Sequence, residues 1–227
     1  RRHGKWRGLI RGAILTPAIK DYLDDPDSLF GLPGGKNIKS SKRGRLFELD
    51  LDSLNAVGEK VSLPVILKRM NTRRFISDRT QSRAAKAWNN SCKIIQRGIQ
   101  APVPLILIDH VESPTCEPSY MVVENLRGYI PLRHVLNAVR SGKSLPIDVD
   151  RNTFVRLLAG FVREIHKNGI YHRDLTGGNI LLSPHVIHTE KVPRLKFALI
   201  DVARSRFRRR VSLLDRHRDL SRVRLPA

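Results

Sequence analysis

The run His172-Arg173-Asp174-Leu175-Thr176-Gly177-Gly178-Asn179 constrains this chain more than any other stretch. It fits the pattern H-R-D-x-x-x-x-N, in which an acid and an amide are presented from one loop. Its flanks predict a helix–loop–strand unit. Upstream, Phe154, Leu157, Leu158, Phe161 and Ile165 recur at helical spacing. Asn152 or Thr153 is placed to cap that helix, and His166-Lys167-Asn168-Gly169 supplies a cationic, Gly-terminated end. Downstream, Ile180-Leu181-Leu182 reads as a short strand, and a second strand over 195–200 runs directly into Asp201.

The residue types suit phosphoryl transfer, which is mostly positioning and charge neutralisation. Asp174 would orient an attacking hydroxyl and accept its proton. Asn179 and Asp201 offer oxygen ligands, which Mg²⁺ demands. Lys68, near the end of the apolar strand 63–69, would reach the α- and β-phosphates of ATP. Each has a plainer reading alone: Asp174 and Asn179 as a capped turn, Asp201 as a strand-ending turn residue, Lys68 as a solvated strand end. The ordered set Lys68, Asp174, Asn179 and Asp201 carries the inference.

The rest of the chain predicts an α+β fold of two lobes. Residues 1–35 turn from basic to acidic to Gly/Pro-rich, and read as a peripheral extension. Residues 36–127 hold the strands: two over 37–52 joined by the turn Ser40-Ser41-Lys42-Arg43-Gly44, one over 63–69, then 103–108 and 120–123. One helix interrupts them, marked by Ala84, Ala85, Trp88, Cys92 and Ile95 and stopped at Gly98. Residues 128–227 form a short, mainly helical lobe with the catalytic loop, the metal-binding strand and an Arg-rich tail. In that tail Leu213, Leu214, Leu220 and Val223 hint at a helix.

Charge narrows the partners. The 227 residues include 42 Lys and Arg against 21 Asp and Glu, a formal net charge of +21. Such a bias calls for an anionic partner, whether nucleic acid, a phosphate-bearing ligand or an anionic membrane face. Cys92 and Cys116 make no disulfide framework and no zinc spacing, which fits a reducing compartment. The longest apolar run, 103–108, is too short to span a bilayer. His3, His110, His134, His185, His188 and His217 lack ligand spacing and read as surface or loop residues. The first residue is Arg rather than Met, which predicts a fragment of a longer chain.

Tyr171 to Leu181, followed by Phe197-Ala198-Leu199-Ile200-Asp201-Val202-Ala203-Arg204-Ser205-Arg206-Phe207, resembles the bacterial lipopolysaccharide kinase family, the Kdo and heptose kinases within the protein-kinase-like superfamily. The turn Gly98-Ile99-Gln100-Ala101-Pro102-Val103-Pro104 is similar to that family's Gly-Ile-x-x-Pro-x-Pro, and the likeness covers roughly 37–210. The resemblance implies a protein-kinase-like two-lobed fold, ATP, Mg²⁺ and a phosphorylated glycolipid product. It also implies a chain peripheral on the inner, cytoplasmic face of the bacterial inner membrane, where polyanionic lipopolysaccharide core would meet the basic charge. Nucleic acid is then not an expected partner.

Three departures from protein kinases stand out. The helix over 82–97 contains no Glu or Asp to pair with Lys68. No G-x-G-x-x-G occurs; Ser40, Ser41 and Gly44 could cradle phosphates, or simply turn a hairpin. The stretch after Asp201 is too short for a large helical lobe. Glu124, after strand 120–123, sits where an inter-lobe hinge belongs, so its backbone could bind adenine or form an ordinary strand exit. Arg204 and Arg206 are candidates to hold an anionic acceptor, with Arg208, Arg209 and Arg210 docking on the membrane. A catalytically idle kinase-like binding module and a compact atypical protein kinase are the alternatives.

Overall fold

The structure, a computed structural model, describes residues 2–3, 6–10, 25–42, 44–54, 59–71, 81–110, 118–187 and 193–223. Arg43, Cys116, His188 and residues 11–24 lie outside these. The chain divides into two compact units, residues 1–92 with 102–125, and residues 93–101 with 126–227.

The first unit is built on β1 (Arg2–His3), β2 (Trp6–Ile10), β3 (Lys36–Ser41), β4 (Gly44–Leu54), β5 (Lys60–Met70), β6 (Pro104–His110) and β7 (Ser119–Glu124). Among the described residues these form one seven-stranded sheet, ordered β1-β2-β6-β7-β5-β4-β3. Every neighbouring pair is antiparallel. Side chains alternate across a strand, so the register sorts the faces. Phe47, Leu49 and Leu51 of β4 lie opposite Leu67, Val65 and Leu63 of β5 and pack in one apolar cluster with Ile106, Ile108, Tyr120 and Val122. The other face of the β4–β5 ladder carries Leu46, Glu48, Ile66 and Lys68.

The N-terminal stretch is not peripheral. Strand β2 pairs with β6 from Trp6 opposite His110 to Ile10 opposite Ile106. A 3-10 turn at Pro26–Gly31 buries Leu29 in the same cluster, where Trp6, Ile10, Phe30 and Leu32 also pack. The cause is simple: the Leu49/Leu51/Val65/Leu67 face needs a cover, and each large apolar side chain buried gains about 1.5–3 kcal/mol. The charges of this stretch dominate its sequence, but its few apolar residues decide where it packs.

Helix α1 (Arg83–Gln96) starts at Ser82, whose Oγ accepts the N–H of Ala85 at 2.9 Å. It stops before Gly98, which takes φ +77°. The second unit holds α2 (Leu132–Arg140), α3 (Arg151–Lys167) and α4 (Leu213–Val223). Its strands are β8 (Ile130–Pro131), β9 (Ile170–Tyr171), β10 (Ile180–Leu182), β11 (Phe197–Leu199) and β12 (Arg206–Phe207), paired as β11-β10-β8 and β12-β9. Phe154, Leu158, Val162 and Ile165 of α3 bury against Leu132, Leu175, Ile180 and Leu199.

Two details differ from expectation. The N-cap of α3 is Asp150, whose Oδ1 accepts from the N–H groups of Asn152 and Thr153 at 2.9 and 3.0 Å. A carboxylate outdoes either neighbour as a cap because it also complements the helix dipole. In α4 three of the four expected apolar residues point outward, Leu213 being 82% exposed, Leu214 59% and Leu220 44%, while Val223 turns inward. The buried positions are Asp215, Asp219 and Val223. The helix turns its acids inward for a reason found in the loop it packs against.

Candidate active site

The loop from His172 to Asn179 is fixed from several sides. Asp219, fully buried on α4, accepts the backbone N–H of His172 through Oδ2 at 3.0 Å and that of Arg173 through Oδ1 at 2.9 Å. Its Oδ2 also lies 3.2 Å from Nε2 of buried His166 on α3. Arg173 adopts φ +67°, a conformation that disfavours a residue bearing Cβ, and the Asp219 bond holds it there. Leu175 is fully buried and anchors the middle of the loop. The carbonyl of Gly177 accepts the N–H of Arg133 at 2.7 Å, and a Cβ on Gly177 would sit 3.2 Å from that nitrogen. Nothing in the loop motif itself points to Asp219. The signal available was its spacing of one helical turn from Asp215.

His172 tethers the loop to the strand that follows. Its Nε2–H donates to the Ile200 carbonyl at 3.1 Å. Burial, the largest influence, pushes the imidazole below the usual His range, against the pull of that carbonyl and of Asp219, Asp201 and Asp174. The ring is therefore neutral, and its buried Nδ1 has no hydrogen-bond partner.

The structure brings Asp174, Asn179 and Asp201 together. Asn179 Nδ2 donates to the Asp174 carbonyl at 2.8 Å, which fixes the amide and leaves Oδ1 as its acceptor atom. The N–H of Ile200 donates to the Asn179 carbonyl at 3.0 Å, which extends the β10–β11 pairing and sets Asp201 beside Asn179. Asp201 is exposed at φ +55°, a left-handed conformation that Asp tolerates better than most. No cluster of three or more His, Cys, Asp or Glu exists among the described residues. An amide and a carboxylate oxygen fit Mg²⁺, which keeps several waters and draws further ligands from substrate phosphates.

Asp174 is ringed by cations. Arg222 of α4 donates to its Oδ1 at 3.3 Å, and Arg204 lies 3.8 Å from its Oδ2. Tyr171, Arg173, Arg204, Arg218 and Arg222 line one pocket. Arg206 does not line it: this residue is exposed on β12, opposite Tyr171 of β9. Arg208 and Arg218 each approach Asp215 at 3.7 Å.

The remaining candidates belong to the first unit. Lys68 stands on β5 opposite Leu46 and Met121. Helix α1 offers it no acid. The nearest acid along the β4–β5 ladder on its own sheet face is Glu48, two pairs on and opposite Ile66, with Oε1 accepting from Asn125 Nδ2 at 2.7 Å. Ser40, Ser41 and Gly44 lie where β3 meets β4, and Ser41 Oγ donates to the Gly44 carbonyl at 3.3 Å. Gly44 answers to strand packing: it takes φ +143°, and a Cβ there would stand 1.9 Å from the Arg69 carbonyl oxygen. At Glu124, the last residue of β7, the N–H donates to the Val103 carbonyl at 2.9 Å, and that of Asn125 to the Pro64 carbonyl at 2.9 Å, so both donors are engaged within the first unit. The Glu124 side chain is used too, its Oε2 accepting from the Val103 N–H at 3.2 Å.

Comparison with known proteins gives a consistent answer. The profile of the lipopolysaccharide kinase (Kdo/WaaP) family matches residues 38–225. No curated protein matches the chain. Among solved structures, the chain is similar to "WaaP in complex with acyl carrier protein", with a TM-score of 0.62 at 19% identity, over 96% of this chain and 79% of that one. That likeness shows the fold: a mixed α/β chain with an antiparallel sheet and few helices.

Proposed function

Because the chain belongs to the lipopolysaccharide kinase (Kdo/WaaP) family, we propose that it transfers the γ-phosphoryl group of ATP to a hydroxyl of a Kdo or heptose sugar in the lipopolysaccharide inner core. The family consists of phosphotransferases acting on sugar hydroxyls. The observation that carries the reading is the loop that holds Asp174 and Asn179 against Asp201, fixed from behind by Asp219.

In this reading Asp174 orients the acceptor hydroxyl and takes its proton as that oxygen bonds to the γ-phosphorus. The bond from γ-phosphorus to the bridging oxygen breaks, and ADP leaves. Lys68 neutralises phosphate charge, with Glu48 serving in place of the absent helix acid. Ser40 is exposed and can donate to the triphosphate, and Ser41 can do so when its hydroxyl leaves the Gly44 carbonyl. Asn179 and Asp201 would hold Mg²⁺, which when bound offsets the charge of the transferring phosphates. Arg204 serves the acceptor.

The same reading places the chain at the inner, cytoplasmic face of the bacterial inner membrane. Its support is the net charge of +21 and the exposed run Arg208, Arg209 and Arg210. No helix of the described residues is long and apolar enough to cross a membrane. The deciding experiment is transfer of phosphate from ATP to purified inner-core lipopolysaccharide.

A further inference from the structure

We infer that the pocket lined by Tyr171, Arg173, Arg204, Arg218 and Arg222 is an oxyanion site for a phosphate or carboxylate already present on the acceptor, close to the hydroxyl that reacts. The inference rests on the kinase reading of Asp174 and gives that reading a substrate class. The reaction acts on a sugar acceptor that an earlier step has already charged.

The pocket collects guanidinium groups from separate elements of the second unit. Arg173 comes from the loop after β9, Arg204 from the 3-10 turn after β11, and Arg218 with Arg222 from α4. Among the described residues their carboxylate partners are few. Asp174 serves Arg222 at 3.3 Å and Arg204 at 3.8 Å, while Asp215 serves Arg218 and Arg208, each at 3.7 Å. Asp219 is spent on two backbone N–H groups and on His166. Most of these contacts are longer than the roughly 2.7–2.9 Å of a full charge-assisted bond. Each guanidinium carries five N–H donors in a planar fork, so much donor capacity is unspent and its geometry suits an oxyanion bidentately.

Placement matters as much as charge. Arg218 and Arg222 stand one helical step apart, where like charges disfavour an isolated helix. Arg222 and Arg204 both touch Asp174, so an anion they hold lies beside the carboxylate that must meet the acceptor hydroxyl. Such an anion also draws the two guanidiniums away from Asp174 and releases its oxygens toward the hydroxyl. Tyr171 completes the wall, 8% exposed, with an aromatic face suited to a sugar ring.

The test has two arms on the full chain. The first is a thermal-shift titration with inorganic phosphate, with Mg²⁺ and a non-hydrolysable ATP analogue at saturation so that the nucleotide phosphates are already in place. Saturable stabilisation of the parent, lost in Arg218→Gln and retained in part by Arg218→Lys, is the expected result. Arg218 is 57% exposed, so its replacement spares the core. The second arm compares KM for three forms of one inner-core acceptor: intact, dephosphorylated with hydrogen fluoride, and carboxyl-amidated. One treatment should raise the parent KM about 10- to 100-fold, as loss of a charged hydrogen-bond pair would, and the treatment that does so identifies the anion. Arg218→Gln should raise KM for the intact acceptor similarly, add nothing further on the stripped one, and leave KM for ATP in place. If phosphate does not stabilise the parent, or Arg218→Gln is stabilised equally, the pocket assignment is overturned. If neither treatment moves KM, its link to the acceptor is overturned. If no acceptor form is phosphorylated, the kinase reading fails, and with it the acceptor assignment.

Discussion

The carboxylate of Asp219 accepts the backbone N–H of Arg173 at 2.9 Å, and Arg173 holds φ +67°. A left-handed residue bearing Cβ costs about 1–2 kcal/mol, so it persists only where the surroundings impose it. Asp219 imposes it from a fully buried position on α4, and Asp174 follows directly in the chain. Asp219→Ala leaves the His172 N–H buried and unpaired, at about 1–3 kcal/mol, and takes the acceptor from the part-buried Arg173 N–H and from His166. We predict a destabilisation of about 2–5 kcal/mol in urea unfolding, with phosphotransfer lost even where the chain stays folded. Unchanged stability would mean that α4 does not hold the loop.

Asp201→Ala should abolish Mg²⁺-dependent stabilisation by ATP. A carboxylate on the metal is the strongest ligand this chain offers there, and Asn179 alone is neutral. Thermal-shift titrations with ATP, with and without Mg²⁺, read this directly. Equal metal-dependent stabilisation of variant and parent would remove Asp201 from the metal site.

His172 gives a pH signature. Its imidazole is neutral in the folded chain because burial pushes its pKa down, whereas an unfolded His titrates near pH 6.5. As pH falls through about 6.5 the unfolded state takes up a proton that the folded state refuses. Stability therefore drops, by up to about 1.4 kcal/mol per pH unit from this residue, until the depressed folded value is reached. Unfolding at pH 7.5 and pH 5.5 should show that loss in the parent and a smaller one in His172→Gln. An identical loss in both would assign the effect to other groups.

What could be read from the sequence, and what could not, divides along physical lines. The strands, the helix over 84–95 and the loop chemistry all rest on local signals: alternation, helical spacing and a fixed motif. Asp174, Asn179 and Asp201 meet as expected because a short loop and one strand pair suffice to join them. Long-range partners were invisible. Asp219 reaches back 47 residues to the His172 N–H, and its one-turn spacing from Asp215 marks a helix face without marking what that face packs against. The same applies to Trp6 and Leu29, whose burial depends on a sheet formed later in the chain. At Gly44 the glycine was legible but its cause was not, since the close approach to Arg69 appears only once β4 and β5 pair. Arg204 lines the pocket, whereas Arg206 stands exposed on β12 opposite Tyr171, a placement that only the β9–β12 pairing decides.

The exposed run Arg208, Arg209 and Arg210 gives a salt-dependent expectation. Replacing all three with Ser should weaken binding to anionic liposomes steeply at low salt and little at high salt, because exposed charges are screened over about 10 Å at 0.1 M. Each cation near such a surface is worth about 1 kcal/mol. Undiminished low-salt binding would leave the run as a solvated loop.

The central claim is tested most directly by mass spectrometry of purified inner-core lipopolysaccharide after incubation with ATP, Mg²⁺ and either the parent or Asp174→Asn. The parent should add one phosphoryl group to a sugar hydroxyl. Asp174→Asn should add none while binding nucleotide within a few-fold, because the base acts on the acceptor and the phosphates are held by other residues. An unaltered lipopolysaccharide with the parent, or equal phosphorylation by Asp174→Asn, would contradict the account.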